Sequence, residues 1–103
     1  MDIHKIQTLF QNRSVKWSTH CLERMQERDI LRDDVISCVL RGEIIEDYPN
    51  DFPYPSCLIF GYTTQDKVLH IVIGADETTA YVITAYYPST DKFEADLRTR
   101  KER

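Results

Sequence analysis

Long apolar runs are missing from this 103-residue chain. None approaches the roughly 20 residues that a membrane-spanning helix needs. The opening Met1-Asp2-Ile3-His4-Lys5 lacks the continuous apolar region of a secretory leader. A cytoplasmic location with no membrane partner is therefore expected. Cysteine is scarce too: Cys21, Cys38 and Cys57 are odd in number, widely spaced and without a Cys-x-x-Cys pair. That argues against a disulfide framework and a zinc site, and predicts three small buried hydrophobes. The chain has only three glycines. It contains no phosphate-cradling Gly loop, no Gly-x-Ser-x-Gly and no helical His-Glu-x-x-His. Its carboxylates do not form a two-metal pattern. Neither a cofactor nor a metal is expected.

An excess of positive charge is also lacking. The net charge of −4 argues against a general nucleic-acid coat, which is normally basic. The distribution is uneven. Glu43, Glu46, Asp47 and Asp51 gather negative charge mid-chain, and Arg98-Thr99-Arg100-Lys101-Glu102-Arg103 is locally basic. Two readings stay open: a local cationic site on an acidic protein, and an acidic surface that faces a basic partner.

What is present is enough for one core, so residues 1–103 are read as a single domain with a basic tail from about 91 to 103. Ile3, Ile6, Leu9 and Phe10 recur at helical spacing and predict a helix over 2–12. Val15-Lys16-Trp17 reads as a short extended connection. Ser18 or Thr19 can cap a second helix that runs to about Arg28. Asp29 suits a left-handed turn. A third helix is predicted over Arg32 to Arg41, with Asp33 and Asp34 at its positive end and Gly42 as its stop. The period then changes. Glu43 to Tyr48 reads as a charged edge strand, and Pro49, Pro53 and Pro55 stiffen the loop after it. Cys57–Thr63, Val68–Ala75 and Ala80–Tyr87 read as strands joined by short antiparallel turns. On the last, strict alternation groups Val82, Thr84 and Tyr86 on one face. The tail, with Phe93 and Leu97, reads as a short, weakly docked helix. The expected fold is α+β, with N-terminal helices packed on a four-stranded antiparallel sheet.

At about 100° per residue, His20, Arg24 and Arg28 share one arc of the second helix, with Glu23 and Glu27 beside them. Like charges four apart on a helix repel by a few tenths of a kcal/mol. Either the two glutamates answer them as a solvated ion-paired face, or an outside anion belongs there. In the second case histidine moves protons and arginine holds phosphate. His70 lies mid-strand among apolar neighbours. It is either a hydrogen-bonded core imidazole or a side chain projecting into a cleft. Tyr86 is either edge packing or a proton donor and base-stacking ring.

Ser18-Thr19-His20, Glu23-Arg24-Met25-x-Glu27-Arg28-x-Ile30, Asp34-Val35 and Gly42-Glu43-Ile44-Ile45-Glu46-x-Tyr48 together form a recognisable pattern. So do Pro53-x-Pro55-Ser56, Leu58-Ile59-Phe60-Gly61, Leu69-His70-Ile71-Val72 and Val82-Ile83-Thr84-x-Tyr86-x-Pro88. Over nearly all the chain after residue 15, this resembles the bacterial and archaeal family called domain of unknown function 4258. That family is similar to the RelE/ParE-like toxin superfamily, whose small domains pack helices on an antiparallel sheet. The resemblance implies a type II toxin–antitoxin toxin: an mRNA endoribonuclease (an mRNA interferase, a hydrolase) that works without metal, on the ribosome or free of it. It implies a cognate antitoxin carrying a YgiT-type zinc finger as partner. It carries catalytic roles to His20, Arg24, Arg28, His70 and Tyr86. Arg98, Arg100 and Lys101 are then the RNA-binding candidates. A non-catalytic interaction module and a ParE-like gyrase inhibitor are the alternatives. Asp29 stands where relatives usually have Gly, and Leu31 where a capping Ser is common.

Overall fold

The apolar residues at helical spacing lie on three helices in a computed structural model, which describes residues 1–102. Helix α1 (Ile3–Gln11) buries Ile6, Leu9 and Phe10, with its first turn capped by Asp2. Helix α2 (Thr19–Glu27) buries Cys21 and Met25, and the Ser18 hydroxyl accepts from the Cys21 N–H at 3.0 Å. Asp29 makes the next turn at φ 57°, which Asp tolerates better than most residues. Helix α3 (Arg32–Leu40) starts at Leu31 without a capping side chain. Asp34 compensates: its carboxylate accepts from the Leu31 N–H, the Thr64 N–H and the Thr64 hydroxyl. Burial opposes the charge, but these hydrogen bonds outweigh it and hold the Asp34 carboxyl below its ordinary value. Among the described residues, no helix is long and apolar enough to cross a membrane.

The sheet has five strands and is mixed, where four antiparallel strands are expected from the sequence. Its order is β1-β5-β4-β3-β2. Strands β2 (Glu43–Tyr48), β3 (Ser56–Tyr62), β4 (Val68–Ala75) and β5 (Ala80–Tyr86) pair antiparallel. Val15–Trp17, read as a connection, is strand β1 and lies parallel to β5 with Val15 opposite Ala80 and Trp17 opposite Val82. Three residues carry too little alternation to announce a strand. Their partner is distant in sequence, so no turn announces it either.

One sheet face carries the helices. Cys57, Ile59, Leu69, Ile71, Ile73, Ala80, Val82 and Ala85 meet Ile6, Met25, Val35 and Val39 in one apolar core. All three cysteines are free and buried, and burial pushes the Cys38 and Cys57 thiols up to about 12. Gly42 ends α3, though not with a left-handed backbone. It permits a close approach: a Cβ there would lie 2.3 Å from the Cys38 carbonyl. The β4–β5 register shifts between Val72 and Ile73, leaving Ile83 as an extra residue. This bulge overturns the strict alternation expected of β5: Val82 and Ala85 both enter the core, and Tyr86 lies on the other face.

The tail is not a helix. Asp96 accepts from the Arg98 and Thr99 N–H groups at 2.9 Å each, Leu97 turns at φ 59°, and Phe93 bridges to Arg100. Local capture of backbone N–H groups by an Asp side chain competes with helix formation. Nor is the docking weak, since Phe93 is 2% exposed. Arg103, the end of the basic tail, lies outside the described residues.

Candidate active site

The face opposite the helices is where polar side chains gather. Strand register lines up Glu43 with Phe60, Phe60 with His70, and His70 with Tyr86. The C-terminal segment, residues 88–102, lies over this row as a strap. Phe93 meets the His70 ring edge-on at 4.7 Å, and Phe60 and Tyr86 flank the imidazole at 6.0 and 5.4 Å.

His70 is 0% exposed and both its ring nitrogens have partners. Nε2 lies 2.7 Å from the Leu97 carbonyl, and Nδ1 lies 3.3 Å from the Tyr86 hydroxyl. A carbonyl only accepts, so Nε2 carries the hydrogen. Burial, the larger effect, lowers the His70 pKa, and the imidazole is neutral. Nδ1 is then an acceptor, and Tyr86 donates to it. Burial also raises the Tyr86 phenol, which keeps its proton.

Two arginines fasten the strap to the acidic edge strand. Arg100 donates through Nε and Nη2 to the Glu46 carboxylate at 2.9 Å each, and its guanidinium lies 4.8 Å over the Phe93 ring. Arg98 pairs with Glu43 and lies 4.2 Å over Phe60. The hydrogen bonds from Arg100 are the main reason the Glu46 carboxyl is held down, and those to Glu46 raise Arg100 in turn. Tyr48 adds its hydroxyl to Glu46. Tyr86, Tyr87, Ser89, Lys92, Phe93 and Arg100 line a cleft of about 360 Å³ beside this group. It offers two cations and two phenols, chemistry suited to a phosphate ester.

The residues singled out from sequence are not all brought together. His70 and Tyr86 meet directly, with Arg100 nearby on the strap. Arg28 reaches β5 beyond the end of β1, where Nη1 donates to the Ala85 carbonyl at 2.9 Å and approaches the Thr84 hydroxyl at 3.4 Å. It thereby satisfies a strand edge. Arg24 pairs with Glu27 on the exposed face of α2, and His20 is exposed on the same helix. Among the described residues neither His20 nor Arg24 hydrogen-bonds to the His70 group. Arg98 and Arg100 already have carboxylate partners, and Lys101 is exposed at the strap's end.

Three contributors escape sequence reasoning: Glu46, Lys92 and the Leu97 carbonyl. The acidic character of β2 and the basic character of the tail are visible separately, but nothing local says that they pair. A larger apolar groove of about 510 Å³ lies near the start of β5, lined in part by Trp17, Phe52, Tyr54, Tyr81 and Ile83. Among the described residues, no three His, Cys, Asp or Glu side chains are grouped to hold a metal.

No curated protein and no solved structure matches the chain. A family model described as a domain of unknown function (DUF4258) matches residues 17–87. The match includes Glu46, His70, Tyr86 and Tyr87, and leaves the strap with Lys92, Phe93 and Arg100 beyond it. Covering well over half of the sequence, it shows that the chain belongs to the DUF4258 family.

Proposed function

We propose that this protein is a type II toxin of the RelE/ParE-like superfamily, an endoribonuclease that cuts mRNA in the cytosol and is neutralised by a cognate antitoxin with a YgiT-type zinc finger. The observation that carries the reading is the Tyr86–His70 hydrogen bond at the wall of a cleft that also holds Arg100 and Lys92. In the step this supports, the ribose 2′-oxygen bonds to the adjacent phosphorus as the bond from phosphorus to the 5′-oxygen breaks. The 2′-hydroxyl gives its proton to the Tyr86 oxygen while Tyr86 passes its own to His70 Nδ1. The departing 5′-oxygen takes a proton from water, the hydroxide so formed recovers the proton from His70 through Tyr86, and the cations hold the phosphate charge. The products are a 2′,3′-cyclic phosphate and a 5′-hydroxyl. No step uses a metal.

Induced expression tests this. Growth arrest with fragmented transcripts is expected, relieved by the antitoxin encoded beside it. Normal growth with intact transcripts contradicts the reading, and DNA damage with intact transcripts transfers it to gyrase inhibition. A second reading, a non-catalytic interaction module, is favoured by a separate observation. Arg24, Arg98 and Arg100 are all paired internally, and His70 is fully buried. Tight binding to the neighbouring gene product, with no cleavage by the free protein, would establish it.

A further inference from the structure

We infer that Glu43 and Glu46 are positioning residues: by clamping Arg98 and Arg100, they hold the Leu97 carbonyl on His70 Nε2 and so keep Nδ1 open to the Tyr86 hydroxyl. Both acids sit on β2, at the sheet edge, and touch neither ring nitrogen. They act through the strap. Both anchor points follow Leu97 closely in sequence, at the next residue and the third one on. Each guanidinium is held from two sides, by a carboxylate and by an aromatic face. Leu97 itself adopts a left-handed backbone at φ 59°, which a branched side chain adopts only when its surroundings impose it. The imposed turn aims its carbonyl at the imidazole at 2.7 Å.

The consequence is a choice between ring states. A neutral imidazole carries one hydrogen, on either nitrogen. With the Leu97 carbonyl in place, the hydrogen on Nε2 is bonded. The alternative would set two lone pairs against each other, Nε2 and the carbonyl, where no water reaches the ring. Only the first state can receive a proton from Tyr86. The groups facing His70 are Glu46 from β2, Phe60 from β3, Tyr86 from β5, and Phe93 and Arg100 from the strap. None besides Leu97 is placed to accept from Nε2 among the described hydrogen bonds. The clamp thus extends the site to residues that no motif around His70 would indicate. The ring-state assignment stands on the hydrogen-bond geometry of a buried, neutral ring. Its catalytic consequence rests on the RNA-cleavage reading above.

The test is nuclear magnetic resonance of the full chain labelled with 15N-histidine, at neutral pH. The exposed His4 and His20 serve as internal references for rings exchanging freely with water. Wild type should show one water-protected imidazole N–H, belonging to His70 Nε2. That signal should disappear in Glu43→Ala/Glu46→Ala, and also in Arg98→Ala/Arg100→Ala, which opens the same clamp from the strap side. RNA cleavage by the first variant should fall by about tenfold or more, the scale of losing a positioned group. A protected N–H that persists in both variants, or its absence from wild type, overturns the inference. A clamp-dependent signal without any RNA cleavage would keep the inference and remove the nuclease reading. Cleavage with a clamp-independent signal would do the reverse.

Discussion

Leu69, Ile71 and Ile73 of β4 enter the helix-covered core, while His70, between the first two, points to the other face. The same alternation runs through β3, where Cys57 and Ile59 face the helices and Phe60 faces the strap. One face is filled with aliphatic side chains and thiols. The other holds an imidazole, phenols, two aromatic–arginine stacks and the carboxylates that pair with them. Both are buried, but by different means. Apolar area seals the helix face, and a strap fastened by charge-assisted hydrogen bonds seals the other. The contrast separates the aliphatic packing from the titratable and charged groups, one residue apart on the same strand.

Four changes test that separation. Ile71→Ala removes a fully buried side chain from the helix face. It should cost about 3–4 kcal/mol in urea unfolding, which a loss below 1 kcal/mol would contradict. The glycines give a matched pair. A Cβ on Gly61 would meet the Cys38 carbonyl at 2.3 Å and its sulfur at 2.8 Å, whereas one on Gly74 first meets the end of Ile83 at 3.4 Å. Gly61→Ala should therefore lose about 1–3 kcal/mol. Gly74→Ala should be near neutral or mildly stabilising. Equal effects would erase the distinction between the faces.

The third change concerns pH. The folded state lowers the His70 pKa, so the unfolded chain binds more protons below the ordinary imidazole value of 6.5. The stability this confers is present above that value and is lost as pH falls through the folded pKa. Urea midpoints should fall more steeply in that window for wild type than for His70→Gln, and parallel profiles would contradict it. The smallest effect is expected on α2. The Arg24–Glu27 pair is about half exposed on both sides, so Arg24→Ala should shift stability by about 0.5 kcal/mol or less. If Arg24 contacts RNA, cleavage should fall far more than stability does.

Most of the element pattern was legible in the sequence because strong periodicities carry it. Three helices and four strands appear close to where spacing and turn chemistry put them. Three features escaped, each for a definite reason. Strand β1 is too short to show a period. The bulge at Ile83 breaks the alternation that assigns faces on β5. The tail's Phe93 and Leu97 stand four apart as on a helix, yet Asp96 takes the N–H groups a helix would need. The site was legible as residue types rather than as an assembly. His70 and Tyr86 stood out as possible proton movers, and register brings them together. The His20–Arg24–Arg28 arc also stood out, but Arg28 is spent on the β5 edge and Arg24 on Glu27. Glu46, Lys92 and the Leu97 carbonyl join only through long-range pairing, which no local pattern records.

If the strap-covered face moves protons during RNA cleavage, Tyr86→Phe removes the group that receives the first one. The change removes one hydroxyl and keeps the ring that packs on His70. Purified wild type and variant would be compared on the same RNA, with chelator present, alongside their unfolding curves. Wild type should give fragments ending in 2′,3′-cyclic phosphate. Cleavage by the variant should fall by about 100-fold or more, while stability falls by about 1–3 kcal/mol as His70 Nδ1 loses its partner. Undiminished cleavage by the variant, or none by wild type, would contradict that role for Tyr86.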